Sequence, residues 1–252
     1  MRNNRKTLNL VLAVGLLAGS LSAQDLSASR HDSDIQVKVS HELAKKSQFQ
    51  DVKVSVDEGI VTLSGTVGIY QQKLDAARKA RKTHDVGGVR NLIEVSGKTV
   101  SDDELAAQLD KSLYYDRLGY DNEFNYITAS VKGEVVTLTG ETRTPVDHDS
   151  ALALVDNTPG VKEVIDQAKV APLSNFDDRI RLSAWRAIYR DPVLSRYAID
   201  PASPIRIVVV NGKLTLYGTV MNAMDKQIAG IRASSVFGAF SVQNDLQIAK
   251  KS

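Results

Sequence analysis

The stretch V-T-L-S-G at residues 61–65 recurs as V-T-L-T-G at residues 136–140 and as L-T-L-Y-G at residues 214–218. The three stretches follow one another at spacings of 75 and 78 residues in a chain of 252. Each alternates Val or Leu with Thr, Ser or Tyr and ends in glycine, and its recurrence indicates an internal repeat. The period is longer than that of common solenoid repeats, which predicts that each copy is a small domain of its own.

A second glycine, followed by a run in which apolar residues alternate with polar ones, recurs nearly in step with the first, at spacings of 72 and 78 residues. Glycine is favoured where the chain turns sharply or where two backbones approach closely. We therefore interpret both sets as structural positions rather than as parts of a binding site. The first set is Gly65, Gly140 and Gly218, and the second set is Gly88, Gly160 and Gly238.

The same order of elements can be predicted in every copy. A helix with apolar residues at every fourth position comes first, starting with Ile35, Leu105 and Ile180 in the three copies. Two strands joined by a tight turn follow, and Asn211-Gly212 is a strong signal for such a hairpin. A second helix and a last strand close the copy. Asp177 predicts an N-cap for the first helix of copy three.

These patterns predict an α+β fold of three tandem αββαβ modules, each a small three-stranded sheet covered by two helices. The predicted boundaries are residues 33–98 for module 1, 99–171 for module 2 and 175–249 for module 3. A unit of about 70 residues has a limited core, so neighbouring modules are expected to gain stability by packing together.

The first 23 residues have the pattern of a secretory signal peptide. Arg2, Arg5 and Lys6 precede an apolar stretch, and small residues lead to Ala23, after which cleavage is predicted. The alternative, a membrane anchor, needs about 20 apolar residues, more than the stretch provides. The pattern therefore predicts export, with the periplasm as the expected compartment.

The chain has no cysteine, which excludes disulfides and thiol chemistry.

The sequence contains three repeats with glycine-bounded strands, and it resembles the BON domain family of bacterial osmotically inducible periplasmic and nodulation proteins. The resemblance rests on the V-T-L-x-G strand ends, which read L-T-L-Y-G in copy three, and on the later glycine of each copy. It implies a non-enzymatic binding module of the cell envelope, linked to osmotic protection and to contact with anionic phospholipid. Copy three departs from the pattern by Ala239 and by an insertion from Arg196 to Pro204.

Charge is sorted among the copies, although the whole chain carries only +2. Residues 31–98 have 11 basic and 9 acidic side chains, or +2, and residues 99–171 have 6 and 14, or −8. Residues 172–252 have 11 and 6, or +5. Such sorting could order the modules electrostatically, or the charges could simply be solvated faces. Nucleic acid is an unsuitable partner because of the predicted export and the nearly neutral total.

The first helix of copy three is the candidate lipid-binding segment. Arginines beside a Trp/Tyr pair suit a membrane interface, where guanidinium groups meet phosphate and aromatic rings lie at headgroup depth. The alternative is that the aromatic residues pack against a neighbouring module while the arginines face carboxylates of copy two. The predicted residues are Arg179, Trp185, Arg186, Tyr189 and Arg190.

Catalytic and metal sites find little support in the sequence. His148 lies between Asp147 and Asp149, but three consecutive helical side chains point about 100° apart and do not converge as ligands. The G-x-S-x-G, H-E-x-x-H and P-loop patterns do not occur. We predict no metal, no cofactor and no enzyme activity.

The resulting hypothesis is a periplasmic protein that contacts anionic phospholipid peripherally and supports envelope integrity under osmotic or other stress. The alternative hypothesis is a periplasmic protein-interaction or chaperone-like scaffold whose modules bind envelope proteins or one another.

Overall fold

The computed structural model of the chain describes residues 23–115, 122–200 and 204–249. The predicted signal peptide therefore lies outside the described residues, apart from Ala23, where the first helix begins. Within the described residues, no helix is both long and apolar enough to cross a membrane.

Each module follows the predicted order of elements. Module 1 contains α1 (Ala23–Ala44), β1 (Val52–Asp57), β2 (Ile60–Val67), α2 (Tyr70–Arg81), β3 (Gly88–Asn91) and β4 (Glu94–Val95). Module 2 contains α3 (Asp102–Tyr115), β5 (Tyr126–Lys132), β6 (Val135–Thr142), α4 (Pro145–Asp156), β7 (Glu163–Asp166) and β8 (Lys169–Val170). Module 3 contains α5 (Asn175–Tyr189), β9 (Ile205–Val210), β10 (Lys213–Val220), α6 (Ala223–Ser234), β11 (Ser241–Asn244) and β12 (Gln247–Ile248). Single 3-10 turns precede the first strand of each module, at Ser47–Phe49, Asn122–Phe124 and Leu194–Ala198.

The three sheets share one topology, which confirms the predicted α+β fold. The two hairpin strands pair antiparallel, and the last strand returns parallel to the second hairpin strand, which is therefore central. This last strand is interrupted after four residues, so it forms two short segments, such as β3 and β4 in module 1, that pair with the same central strand. The predicted three-stranded sheet is thus present, with its third strand in two pieces.

The glycine that ends each V-T-L-x-G stretch allows the two hairpin strands to come together. Gly65, Gly140 and Gly218 have φ angles of 99°, 118° and 104°, in the region that favours glycine. A Cβ atom at these positions would overlap a backbone carbonyl oxygen of the facing segment. Those oxygens belong to Asp51, Tyr126 and Pro204.

The predicted equivalence of Gly88 with Gly160 and Gly238 is wrong by three residues. Gly88 pairs with Ile60, whereas the residues that pair at the same point of modules 2 and 3 are Glu163 and Ser241. The true counterpart of Gly160 and Gly238 in module 1 is Asp85, which adopts the left-handed conformation with φ 71°. Gly160 and Gly238 have φ angles of 100° and 96°, so this position needs a left-handed residue rather than glycine itself.

The same hydrogen-bonded contact joins the first helix to the hairpin in all three modules. One carboxylate accepts the two backbone N–H groups at the hairpin turn: Asp32 from Glu58 and Gly59, at 3.0 and 2.8 Å. Asp102 does so from Gly133 and Glu134, and Asp177 from Asn211 and Gly212, all at 2.7–2.9 Å. The predicted N-cap role of Asp177 is therefore wrong, and Ser174 caps α5 by accepting from the Asp177 N–H.

Three apolar clusters form the cores, one in each module. The core of module 3 is the largest and includes Phe124 from module 2, because the turn Asn122–Phe124 packs against β9. Tyr70 of α2 packs against the cores of both module 1 and module 2. The modules therefore contact one another through apolar and aromatic side chains, as their small size leads one to expect.

Modules 2 and 3 are also joined by a tyrosine stack and one ion pair. The rings of Tyr126 and Tyr217 lie parallel with centroids 4.1 Å apart. Arg143 Nε lies 3.2 Å from Asp178 Oδ1. In this pair the acidic module supplies the cation and the basic module the anion, so the net charges of the two modules do not set this contact.

Candidate functional site

The solvent-facing side of α5 carries a row of arginines. Ser174 fixes the start of the helix, and the apolar stripe of Ile180, Ala184 and Ile188 is buried against the sheet of module 3. At 100° per residue, Arg179, Arg186 and Arg190 lie within about 40° of one another on the opposite side, along roughly 16 Å of helix. All three are exposed, and Leu182 between them is 46% exposed. We call Arg179, Leu182, Arg186 and Arg190 the basic face of α5.

The two aromatic residues predicted for lipid contact pack into or against the core of module 3. Tyr189 is buried, and its hydroxyl donates to the Ile205 carbonyl at 2.8 Å and accepts from the Ile205 N–H at 3.1 Å. Trp185 is half-buried, packs against the core of module 3 and lies 5.9 Å from the Tyr189 ring. The predicted interface role of Tyr189 is therefore wrong, because burial removes its ring from any surface that a membrane could reach.

The arginines of the basic face do not pair with the described residues of module 2, as the alternative interpretation requires. Among the described residues, Arg179, Arg186 and Arg190 form no ion pair. The inward-facing Arg181 is instead paired within module 3, where its guanidinium donates to Asp178 at 2.7 Å and to the Val209 carbonyl at 2.5 Å. A helix that buries one paired arginine and exposes three others presents the exposed row to solvent or to a partner.

A cluster of exposed phenylalanines lies at the N-terminal end of α5. Phe237 and Phe240, in the loop between α6 and β11, are 99% and 77% exposed, and Phe176 of α5 is 37% exposed. The rings of Phe176 and Phe240 are 5.5 Å apart, and the Arg179 guanidinium carbon lies 6.0 Å from the Phe176 ring centroid. We call Phe176, Phe237 and Phe240 the phenylalanine tip.

The sequence analysis did not identify this tip, although the repeat contains its signal. The residues equivalent to Phe237 are His84 in module 1 and Pro159 in module 2. Those equivalent to Phe240 are Gly87 in module 1 and Lys162 in module 2. Aligning the copies by strand register places two of the chain's five phenylalanines, Phe237 and Phe240, at positions that are polar, glycine or proline in the other copies.

A cleft with a volume of about 260 Å³ lies between modules 2 and 3, and no residue of the basic face or of the phenylalanine tip lines it. Its wall includes Tyr114, Tyr126 and the buried Arg206, whose guanidinium lies 5.1 Å from the Tyr114 ring centroid. Burial, followed by the charge of Asp200, raises the pKa of Tyr114 to about 12. This tyrosine therefore stays protonated at neutral pH, and its hydroxyl donates to Asp200 Oδ2 at 3.4 Å.

The described residues contain no cluster of three or more side chains able to hold a metal ion. Of the trio His148, Asp147 and Asp149, Asp147 has its partners elsewhere. Asp147 is buried in the capping box of α4, where it accepts from the Thr144 N–H at 3.0 Å. His148 Nε2 instead lies 3.0 Å from Asp166 Oδ2, and its Nδ1 lies 3.5 Å from Asp149.

Comparison with known proteins agrees with the architecture. The family model described as BON domain matches residues 31–97, 101–172 and 190–250, which together make up most of the sequence. The chain therefore belongs to the BON domain family and carries three tandem modules of it, as predicted. The third match begins after α5, although Ile180, Ala184 and Ile188 of that helix lie in the core of module 3.

The chain is also similar to a protein of Anaplasma centrale described as "Uncharacterized protein in gshII 5'region". The two are 32% identical over 145 residues, which cover 55% of this chain and 94% of the relative. Among solved structures, two of CdsD, a structural protein of the Type III secretion system of Chlamydia trachomatis, match 86% of this chain and 98% and 94% of theirs. Their identities are 12% and 14% and both TM-scores are 0.26, too low to bear on function.

Proposed function

We propose that this protein is an exported, non-enzymatic protein of the periplasm that binds anionic phospholipid membranes peripherally through module 3. In this role it supports the integrity of the cell envelope under osmotic or other stress. The observation that carries the proposal is the basic face of α5, whose three arginines are exposed and form no ion pair among the described residues. Membership of the BON family and the +5 charge of residues 172–252 support it.

The geometry suits a phosphate-bearing surface. Guanidinium groups donate two parallel hydrogen bonds to phosphate oxygens, and the three arginines lie in one row along the helix. Each basic residue near an anionic bilayer contributes about 1 kcal/mol, so the row supplies about 3 kcal/mol. Binding of this strength is reversible and weakens as salt screens the charges.

Co-sedimentation of the mature chain with vesicles tests the proposal. Vesicles of phosphatidylcholine alone are compared with vesicles that contain phosphatidylglycerol, at low and at physiological salt. We expect recovery with the anionic vesicles only, reduced by salt and by Arg186→Glu. Equal recovery with both vesicles, unaffected by Arg186→Glu, would overturn the lipid assignment and favour the protein-interaction scaffold.

A further inference from the structure

The phenylalanine tip exposes more aromatic surface than a stable fold requires. Phe237 is 99% exposed, so its ring contributes nothing to the core and leaves apolar area in water. Large contiguous apolar patches on soluble proteins mark contact sites for membranes or other molecules. The three rings are grouped rather than scattered, because Phe176 and Phe240 lie 5.5 Å apart and Phe237 belongs to the same short loop as Phe240.

The tip is held in place by the fold. The Phe240 N–H donates to the Gly212 carbonyl at 2.9 Å, which ties the loop to the hairpin turn. The Phe240 ring lies directly over Gly212, where an added Cβ would come within 2.5 Å of it. The same turn is fixed to α5 by the Asp177 carboxylate. Loop, hairpin and α5 therefore form one end of module 3 and present the rings without further ordering.

The fold does not demand phenylalanine at these positions. Modules 1 and 2 build the same loop with His84 and Gly87, and with Pro159 and Lys162. Where Phe176 precedes the turn-binding aspartate, the other modules have His31 and Ser101. Among the three modules, the phenylalanine tip is therefore found only in module 3, which also carries the basic face of α5.

The shape and the neighbouring charge favour a membrane as the occupant. Phe237 protrudes from a loop with almost all of its surface free, which suits insertion into a bilayer interface. Arg179 belongs to the basic face and lies 6.0 Å from the Phe176 ring centroid, so cationic and apolar groups adjoin. Phe176 is also less than one helical turn from Arg179, on the same side of α5.

We propose that the phenylalanine tip inserts into the interfacial region of the anionic bilayer that the basic face of α5 contacts. The inference rests on the proposed function and adds a component to it. The arginines supply attraction that salt screens, whereas the inserted rings supply apolar burial that salt does not screen. Membrane binding then combines a salt-sensitive part with a salt-resistant part, each assigned to named residues.

Vesicle binding by Phe237→Ala/Phe240→Ala tests the inserted component. These side chains are largely exposed, so the urea midpoint of the variant should match that of the wild type. We expect its affinity for phosphatidylglycerol-containing vesicles to fall at least tenfold at physiological salt. The matched control is Val146→Ala, which removes an exposed apolar side chain from module 2 and should leave the affinity unchanged.

A fluorescent probe reports insertion directly, because a chain without cysteine accepts a single engineered label. Phe237→Cys carries an environment-sensitive dye, and Lys162→Cys carries the same dye at the equivalent position of Phe240 in module 2. We expect a blue shift on anionic vesicles for the label at 237 and none for the label at 162.

The outcomes separate the two proposals. If wild-type chain binds anionic vesicles but the dye at 237 does not shift, insertion is overturned while the proposed function stands. If wild-type chain binds no anionic vesicle, both are overturned. If the wild type is a dimer in solution and Phe237→Ala/Phe240→Ala is a monomer, a second copy covers the tip and insertion is overturned.

Discussion

At the scale of single residues, one carboxylate per module holds the first helix to the hairpin. Asp32, Asp102 and Asp177 each accept two N–H groups that the tight turn leaves without partners in the ladder. Asp102 and Asp177 could be predicted to lie at helix starts, but their role could not, and Asp32 lies within α1. The sequence shows an acid near a helix N-terminus, which the helix dipole alone explains, whereas the turn that it contacts lies 26–35 positions later.

The Asp102 contact predicts a pH dependence of stability. Hydrogen bonds from Glu134 and Gly133 lower the pKa of Asp102 below its ordinary value. Its contribution is therefore fully present above the unfolded pKa of about 4 and is lost as pH falls through the lower folded value. We expect Asp102→Asn to flatten the acid limb of urea midpoints measured between pH 6 and pH 2. The neighbouring Asp103→Asn should keep the wild-type slope, and equal slopes for both variants would contradict the assignment.

The hairpin glycines predict a difference between two substitutions in module 2. Gly140→Ala places a Cβ against the Tyr126 carbonyl oxygen and should lower the free energy of unfolding by about 3 kcal/mol. Gly133→Ala also has a positive φ, but open space surrounds its Cβ, so its cost should be about 1 kcal/mol. Urea denaturation of both variants measures the difference. Costs of equal size would show that backbone conformation, rather than the close approach, decides the Gly140 position.

At the scale of elements, periodicity and turn residues predicted the two α-helices and the hairpin of each module in the right order. The last strand was placed less well, because the position that precedes it holds glycine in two modules and Asp85 in the third. In α5, the arginine row could be predicted from helical spacing. The burial of Tyr189 could not, since only the fold shows that its hydroxyl meets the Ile205 backbone.

Tyr189→Phe separates the structural role of this residue from membrane contact. Removing the hydroxyl leaves the buried N–H and carbonyl of Ile205 without that partner, so the free energy of unfolding should fall by about 2 kcal/mol. Vesicle affinity should not change, because the ring is buried in both forms. Arg186→Gln should have the opposite profile, with unchanged urea midpoint and weaker vesicle binding. A loss of vesicle affinity in a folded Tyr189→Phe chain would restore the interface role of this tyrosine.

At the scale of the whole molecule, three repeats were predictable from recurring motifs, whereas their contacts were not. The stack of Tyr126 on Tyr217 joins residues 91 positions apart. Tyr217 lies in the repeated L-T-L-Y-G stretch, but nothing in that stretch indicates a contact between modules. The charge sorting of +2, −8 and +5 suggested electrostatic ordering. The Arg143–Asp178 pair has the opposite sense, so net charge per module does not explain this contact.

A double-mutant cycle on Tyr126→Ala and Tyr217→Ala measures the contact between modules 2 and 3. Stacked aromatic pairs contribute about 1 kcal/mol beyond their buried area, so we expect a coupling energy of this size in urea unfolding. The control cycle combines Tyr217→Ala with Tyr70→Ala, which lies between modules 1 and 2, and should show no coupling. A coupling near zero in the first cycle would mean that the two modules do not hold this stack in solution.

Matched charge neutralisation tests most directly whether module 3, rather than charge in general, carries membrane binding. One variant replaces Arg179, Arg186 and Arg190 by glutamine, and the other replaces the exposed Arg81, Lys82 and Arg90 of module 1. Both lose three positive charges, and both are titrated with phosphatidylglycerol-containing vesicles at physiological salt. We predict that the module 3 variant loses about a hundredfold in affinity and the module 1 variant less than threefold. Equal losses for the two variants would contradict the account.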